Sequence, residues 1–170
     1  MTASDLQRLF DYGYWANHRL FDAVGRLTTE QFTQPVAGSY GSIRNTLVHT
    51  LSAEAGWLDR CGGPKRGPRL DPANFPTFES VQQAWNRVEA QTRAFLATLR
   101  DEDVAKRIEY SFDPAVTNSG TVGELMHHAA NHAVHHRGQV ALLLRMLGHV
   151  PGDFDILFYY ARQPDERQEA

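Results

Sequence analysis

Five of the eight histidines in this 170-residue chain fall between His127 and His136, and no other segment concentrates so much chemistry. Neutral imidazole is a good ligand for divalent transition metals. A helix turning by about 100° per residue, with His132 at zero, puts His128 at about −40° and His136 at about +40°. His135 at about −60° and Gln139 at about −20° share that face, whereas His127 lies about 140° away. Imidazoles at i and i+4 project the same way one turn apart, so both can reach one ion. The segment offers two such pairs, His128/His132 and His132/His136, and spacing does not choose between them.

Two ligands seldom make a site, and the remaining candidates are His18, His49 and His149. His149 follows the helix stop at Gly148 and reads as exposed, while His18 lies between Asn17 and Arg19 and reads as a surface residue. His49 sits in the apolar stretch Leu47-Val48-His49-Thr50-Leu51, where an uncompensated ring is costly, which makes it the best third ligand. Three histidines on two facing helices leave a coordination position open, as catalytic rather than structural sites do. A pH switch and a polar core network are the competing readings. Other metal signatures fail. A carboxylate-bridged di-iron bundle needs two Glu-x-x-His motifs, and only Glu124-Leu-Met-His127 is present. There is no His-Glu-x-x-His, no second cysteine and no Gly-rich phosphate loop.

The elements that would position these residues follow from periodicity. Leu6, Leu9, Phe10, Tyr14, Leu20, Phe21 and Val24 predict a helix from Ser4, its cap, to about Arg26. A connection over Pro35–Gly41 leads to a second helix from Ser42 to Cys61, stopped by Gly62-Gly63-Pro64. Residues 62–76 hold four of the eight prolines and read as a long loop, either a bundle crossing or a flap over the site. A third helix is expected over Thr77–Leu99. Val104, Ile108, Tyr110 and Phe112 then alternate with polar residues, predicting an extended segment hairpinned at Asp113-Pro114 or at Asn118-Ser119-Gly120. Thr121 and Glu124 form a capping box for a fourth helix reaching about Leu147. Asp155–Tyr160 could close the fold with a turn or two. The expected class is all-α: a four-helix bundle with long crossover connections and a short extended segment before the last long helix. One domain spans residues 1–162, and 163–170 form a polar tail.

Composition narrows the function classes. The net charge is −3, and Lys65, Arg66 and Arg69 make only a small basic loop patch, so nucleic acid is not an expected partner. No apolar run approaches ~18 residues, the N-terminus carries Asp5 without a signal-like layout, and Cys61 has no intrachain disulfide partner. A cytoplasmic protein is expected. Cys61 reads as a free helix-end thiol, Trp15, Trp57 and Trp85 as core anchors, and Arg137 as a surface or interhelical ion pair. Glu54 and Glu124 are the thin candidates for a general base beside a metal-bound water.

Asn131-His-Ala-Val-His-His-Arg-Gly-Gln-Val140 resembles the NH…HHRGQ signature of the DinB/YfiT-like superfamily. Tyr14-Trp-Ala-Asn17 is similar to its first-helix motif, Leu47-Val-His49 to its second-helix histidine, and Gly148…Pro151…Asp155-Ile-Leu-Phe-Tyr to its ending. The likeness spans roughly residues 4–162. It implies a four-helix bundle holding a divalent cation, zinc or nickel ahead of iron, on His49, His132 and His136. His128, His135, Gln139 and Asn17 then become pocket or supporting residues. It further implies a metal-dependent enzyme that activates a low-molecular-weight thiol, of the thiol-S-transferase type, with a small-molecule substrate and a homodimeric assembly. A hydrolase using metal-bound water, or a non-catalytic metal-binding module, would use the same ligands.

Overall fold

The computed structural model describes residues 1–161, and the predicted polar tail lies outside them. Four long helices carry the fold: α1 (Ala3–Val24), α3 (Ile43–Arg60), α4 (Phe78–Thr98) and α6 (Val122–Met146). Between them lie the short helices α2 (Thr29–Thr33) and α5 (Asp101–Val104) and the hairpin β1 (Arg107–Asp113)–β2 (Val116–Thr121), and α7 (Ile156–Ala161) follows. α6 packs on α3 and α1, and α4 packs on the same two helices. Consecutive long helices α1 and α3 are therefore diagonal neighbours, as are α4 and α6, so two connections must cross the end of the bundle. None of the helices among the described residues is long and apolar enough to cross a membrane.

The helix starts follow capping chemistry. Thr121 accepts from the Glu124 backbone N–H while Glu124 reaches back to the Thr121 N–H, the expected capping box. Ser42 and Thr77 cap α3 and α4. At α1 the cap is Thr2 rather than Ser4: Thr2 and Asp5 form the reciprocal pair, two residues earlier than periodicity suggested. α5 was not anticipated, and it moves Val104 out of the extended segment into the core, 4% exposed. The hairpin turns at Pro114-Ala115, the first of the two expected places, with Tyr110 opposite Asn118.

The interior has two apolar ends and a polar waist. One cluster joins Leu20, Val24, Leu47, Leu51, Trp85 and Val140, and the other joins Leu6, Phe10, Trp57, Leu58, Leu96 and Met126. Between them every long helix turns a polar side chain inward: Asn17, Glu54, Glu89 and Thr92, and His136 with Arg137, all under 9% exposed. Each is expensive to bury alone, so the waist has to be a hydrogen-bonded layer. Tyr14 Oη and Thr92 Oγ1 both donate to Glu54 Oε1, at 2.7 and 3.0 Å. Glu89 is held by His18 at 3.0 Å and by Arg93 at 2.9 Å.

Arg137 corrects its sequence reading. It is buried between α1 and α6, donates to Asn17 Oδ1 (2.9 Å) and Gly13 O (3.2 Å), and packs on the Tyr12 and Phe154 rings. No carboxylate pairs with it among the described residues, and its Nη2 lacks a hydrogen-bond partner there. Asn17 thereby belongs to the α1–α6 contact, and it lines neither cavity beside the histidines.

Candidate metal centre

α3 and α6 face each other across the waist, and this contact brings His49 against His132 and His136. His132 Nε2 stands 3.1 Å from His49 Nε2 and 3.0 Å from His136 Nε2, and one ring nitrogen from each of the three lies within 4.8 Å of the others. Nitrogens bound at about 2.0–2.1 Å to one ion stand roughly 2.9–3.4 Å apart at ordinary coordination angles, so these separations suit a shared cation.

Proton accounting points the same way. His136 Nδ1 lies 2.6 Å from Gln139 Oε1, an oxygen that can only accept, so Nδ1 carries the hydrogen and Nε2 presents its lone pair. Ser39 Oγ donates to the same oxygen at 2.8 Å, and the Gln139 amide nitrogen donates to His135 Nε2 at 3.1 Å. The amide is thus oriented by three partners. At His132 Nε2 one hydrogen can serve at most one of two close nitrogens, so the other contact is left without a hydrogen bond. A divalent cation accepting all three lone pairs resolves that conflict, so the residues present fit a metal.

The rings are set for this role. Burial, reinforced by neighbouring imidazoles, pushes His132 down to about 4. Burial, with the charges of His136 and Arg69, brings His49 to about 4, and burial lowers His136 as well. All three are neutral near pH 7, the form that binds metal without first losing a proton.

The second support is a turn that sequence reasoning treated as a plain connection. Gly38, Ser39 and Gly41 take φ values of +86°, +49° and +84°, and Gly41 N–H donates back to Gly38 O. Three left-handed residues in four need glycine wherever they can have it. The tight turn delivers Ser39 to Gln139 and lays Tyr40 flat on His49, ring centroids 3.7 Å apart and planes 17° apart. The Gly38…Gly41 spacing just before the Ser42 cap was the available signal.

Beside the histidines opens a cavity of about 320 Å³, with His49, His132 and His128 on its wall. Trp57 is buried in the core as expected, yet its ring also faces this cavity, 5.1 Å from the His128 ring and 5.7 Å from Phe112. The long loop contributes Arg66 and Arg69, so residues 62–76 do border the site, and a short 3-10 turn (Pro72–Asn74) ends the segment. Of the two i, i+4 pairs, His132/His136 meets His49, while exposed His128 stands farther along the cavity wall. His127 is exposed, His18 pairs with Glu89, and His149 is half-buried rather than exposed.

The other reactive groups are engaged elsewhere. Glu54 is fully enclosed, and burial holds its carboxyl above the usual range. Glu124 caps α6. Cys61 is a buried helix-end thiol pushed up to about 12 by burial, which makes it a poor nucleophile.

Comparison with known proteins agrees with this architecture. The chain is 23% identical over 164 residues to Protein DinB of Bacillus subtilis (strain 168), covering 91% of this chain and 94% of that protein. It is 25% identical over 142 residues to the uncharacterized protein YizA of the same organism, covering 84% and 87%. Among solved structures, a DinB-like protein from Bacillus cereus ATCC 10987 superimposes with a TM-score of 0.73 at 18% identity, covering 89% of this chain and 97% of that one. The family model described as DinB family matches residues 1–169, and with a whole-chain match of that kind the chain belongs to the DinB family.

Proposed function

We propose that this protein is a metal-dependent enzyme that activates a low-molecular-weight thiol and transfers it to an electrophilic small molecule. The observation that carries this reading is the convergence of three neutral imidazoles beside a cavity whose described lining residues include no cysteine and no carboxylate, and whose one hydroxyl, Ser52, accepts from the Leu70 N–H at 3.3 Å. A divalent cation on His49, His132 and His136 would supply Lewis acidity that favours thiolate over thiol near neutral pH. The chain's own part is to hold the ligand imidazoles neutral and oriented. His136 is fixed by Gln139, and His49 is backed by the Tyr40 ring. Trp57 and Phe112 give one side of the cavity an apolar wall. In the transfer the sulfur–carbon bond forms as the leaving group departs with its electron pair, and the thiol proton passes to solvent.

A hydrolytic use of the same ligands fits less well, because a base near the attacking water would be needed. Glu54 is turned to Tyr14 and Thr92, and Glu124 to the α6 cap. The test is cobalt reconstitution of the purified chain beside His49→Ala and His136→Ala, followed by titration with 2-mercaptoethanol and a fluorogenic haloalkyl acceptor. The reading expects about one ion per chain, lost in both variants without unfolding, a thiol-dependent change in the cobalt bands, and metal-dependent conjugation. Saturable metal with neither thiol response nor conjugation overturns the transferase and leaves an inert metal module. Failure to bind metal overturns both.

A further inference from the structure

The cavity beside the histidines is strongly positive in a chain whose net charge is −3. Arg60 comes from the last turn of α3, and Arg66 and Arg69 come from the long loop. None of these three guanidinium groups is in an ion pair among the described residues. Arg60 donates one N–H to Gly56 O at 3.1 Å and lies over the Trp57 and Phe112 rings, at 5.1 and 5.7 Å, which holds its planar fork in place. Gly56 makes room for two of them at once. A side-chain carbon there would stand 3.2 Å from Arg60 Nη1 and 3.4 Å from Arg66 Nη1, so both guanidiniums rest on the bare helix surface. Arg69 shares the cavity wall with His49, and the two also line the adjoining cavity of about 390 Å³.

Carboxylates close to this group are already engaged. Asp59 accepts from Lys65 Nζ on Oδ1 at 2.8 Å and from the Arg66 backbone N–H on Oδ2 at 3.4 Å, so the Arg66 charge, which also acts on it, shares this carboxylate with Lys65. Asp71, in the adjoining cavity, accepts from the Ala73 N–H at 2.9 Å. No lining residue of the histidine cavity itself is acidic among those described. Three like charges gathered on one concave wall repel one another, and gathering them is useful when an anion completes the arrangement.

We propose that Arg60, Arg66 and Arg69 form an anion-recognition subsite for the small molecule handled at the three-histidine centre, and that this molecule carries carboxylate or phosphate groups. The proposal deepens the preceding reading and rests on it for the site's occupant, because the thiol or its acceptor is the molecule that would bear the charge. Its anionic part sits in the arginine fork, and its reacting end lies toward His49 and His132. A cavity of about 320 Å³ falls within the usual range for small-molecule sites, so anchor and reacting atom belong to one ligand.

The test separates the anion subsite from the metal. Metal-free full-length protein is titrated calorimetrically with succinate and inorganic phosphate, and with succinamide as the neutral counterpart. Arg66→Gln and Arg69→Gln are the variants, and Arg145→Gln, an exposed arginine on α6, controls for the same change in charge. At least one anion should bind about tenfold or more tightly than succinamide, lose roughly tenfold in each cavity variant, keep its affinity in Arg145→Gln, and weaken with added salt. In the cobalt-loaded protein, mercaptosuccinate should perturb the metal bands at about a tenth of the concentration needed for 2-mercaptoethanol, and Arg66→Gln and Arg69→Gln should erase that advantage. Equal binding of the anions and succinamide, or an equal loss in Arg145→Gln, overturns the subsite whether or not metal binds. Preferential anion binding in a chain that takes up no cobalt would sustain the subsite and overturn the metal enzyme.

Discussion

Gln139 is the residue through which the candidate centre can be tuned without touching a ligand. Its Oε1 accepts from His136 Nδ1 at 2.6 Å, and this contact fixes which nitrogen of His136 faces His132. Replacing it by methionine keeps the volume and helix propensity but removes the acceptor, and it releases Ser39 and His135 from their bonds to the amide. His136 can then rotate or shift its hydrogen to Nε2, the nitrogen that must bind metal. Losses of this kind weaken metal affinity by about 10–100-fold. That range is about 1.4–2.7 kcal/mol of binding free energy. Gln139→Glu should act in the opposite direction, since a carboxylate acceptor makes the imidazole a stronger donor, and it should bind metal at least as tightly as wild type. Competition against a chromophoric chelator measures both, with thermal melts of the metal-free proteins as the folding control. Equal affinity for wild type and Gln139→Met would show that the amide does not orient His136, and the tautomer argument would fail.

Three further outcomes follow from the waist of the bundle. His49 and His132 are held at about 4 by burial, below the ordinary 6.5, so in metal-free protein the unfolded chain binds the extra protons between those values. Stability of the metal-free protein should therefore be full above about pH 6.5, fall as pH drops toward about 4, and fall less in His132→Ala, read by melting temperature against pH. Glu54 is shifted upward by burial, the opposite case: its contribution is full below its unfolded value and is lost as pH rises through the folded one. Glu54→Gln should gain on wild type as pH rises above the ordinary carboxylate range, and denaturant titrations from acid to neutral pH giving a constant difference would contradict this. Arg137→Ala should cost about 2–3 kcal/mol, because it strips the packing against Tyr12 and Phe154 and leaves Asn17 Oδ1 and Gly13 O without their donor. The loss should be less than additive with Asn17→Ala, and a cost below about 0.5 kcal/mol would refute the packing argument.

What was readable from sequence was whatever local chemistry decides. Helix spans came within two residues because Ser42, Thr77 and Thr121 are strong caps and Gly62-Gly63-Pro64 and Gly148 are strong stops. The shared face of His132 and His136 is fixed by helical pitch, and His49 stood out as a polar ring in an apolar stretch. What could not be read depends on residues distant in the chain. Tyr40 reaches His49 through a left-handed turn whose direction no periodicity encodes. Arg137 read as a surface or interhelical ion pair because its angle on α6 is measured from the histidines, whereas its burial and its neutral partners are decided by α1 and the Phe154 segment. The two arginines of the long loop looked like an isolated basic patch until the fold set them beside Arg60 and His128.

The waist explains why so much polarity is tolerated in a small bundle. Most hydrophobic burial is concentrated in the two end clusters, with a smaller one of Trp15, Ala16 and Tyr159 beside them. The middle layer then divides by face. Toward α4 it is closed and satisfied, with Glu54 bound to Tyr14 and Thr92 and Glu89 bound to His18 and Arg93. Toward the cavity it is unsatisfied by protein alone: at His132 Nε2 only one of two close imidazole contacts can be a hydrogen bond, and three guanidiniums line the same wall outside any ion pair among the described residues. Both deficits are repaired from outside the chain, one by a cation and the other by an anion, and they border the same cavity. A ligand that is anionic at one end and metal-binding at the other satisfies both together, so metal loading and anion binding should be positively coupled. That coupling is measurable as a tighter mercaptosuccinate affinity in cobalt-loaded than in metal-free protein, with succinate, which lacks the sulfur, showing less of it. Equal gains for the two acids would mean that the cation acts only as a remote charge, and the single-ligand geometry would have to be abandoned.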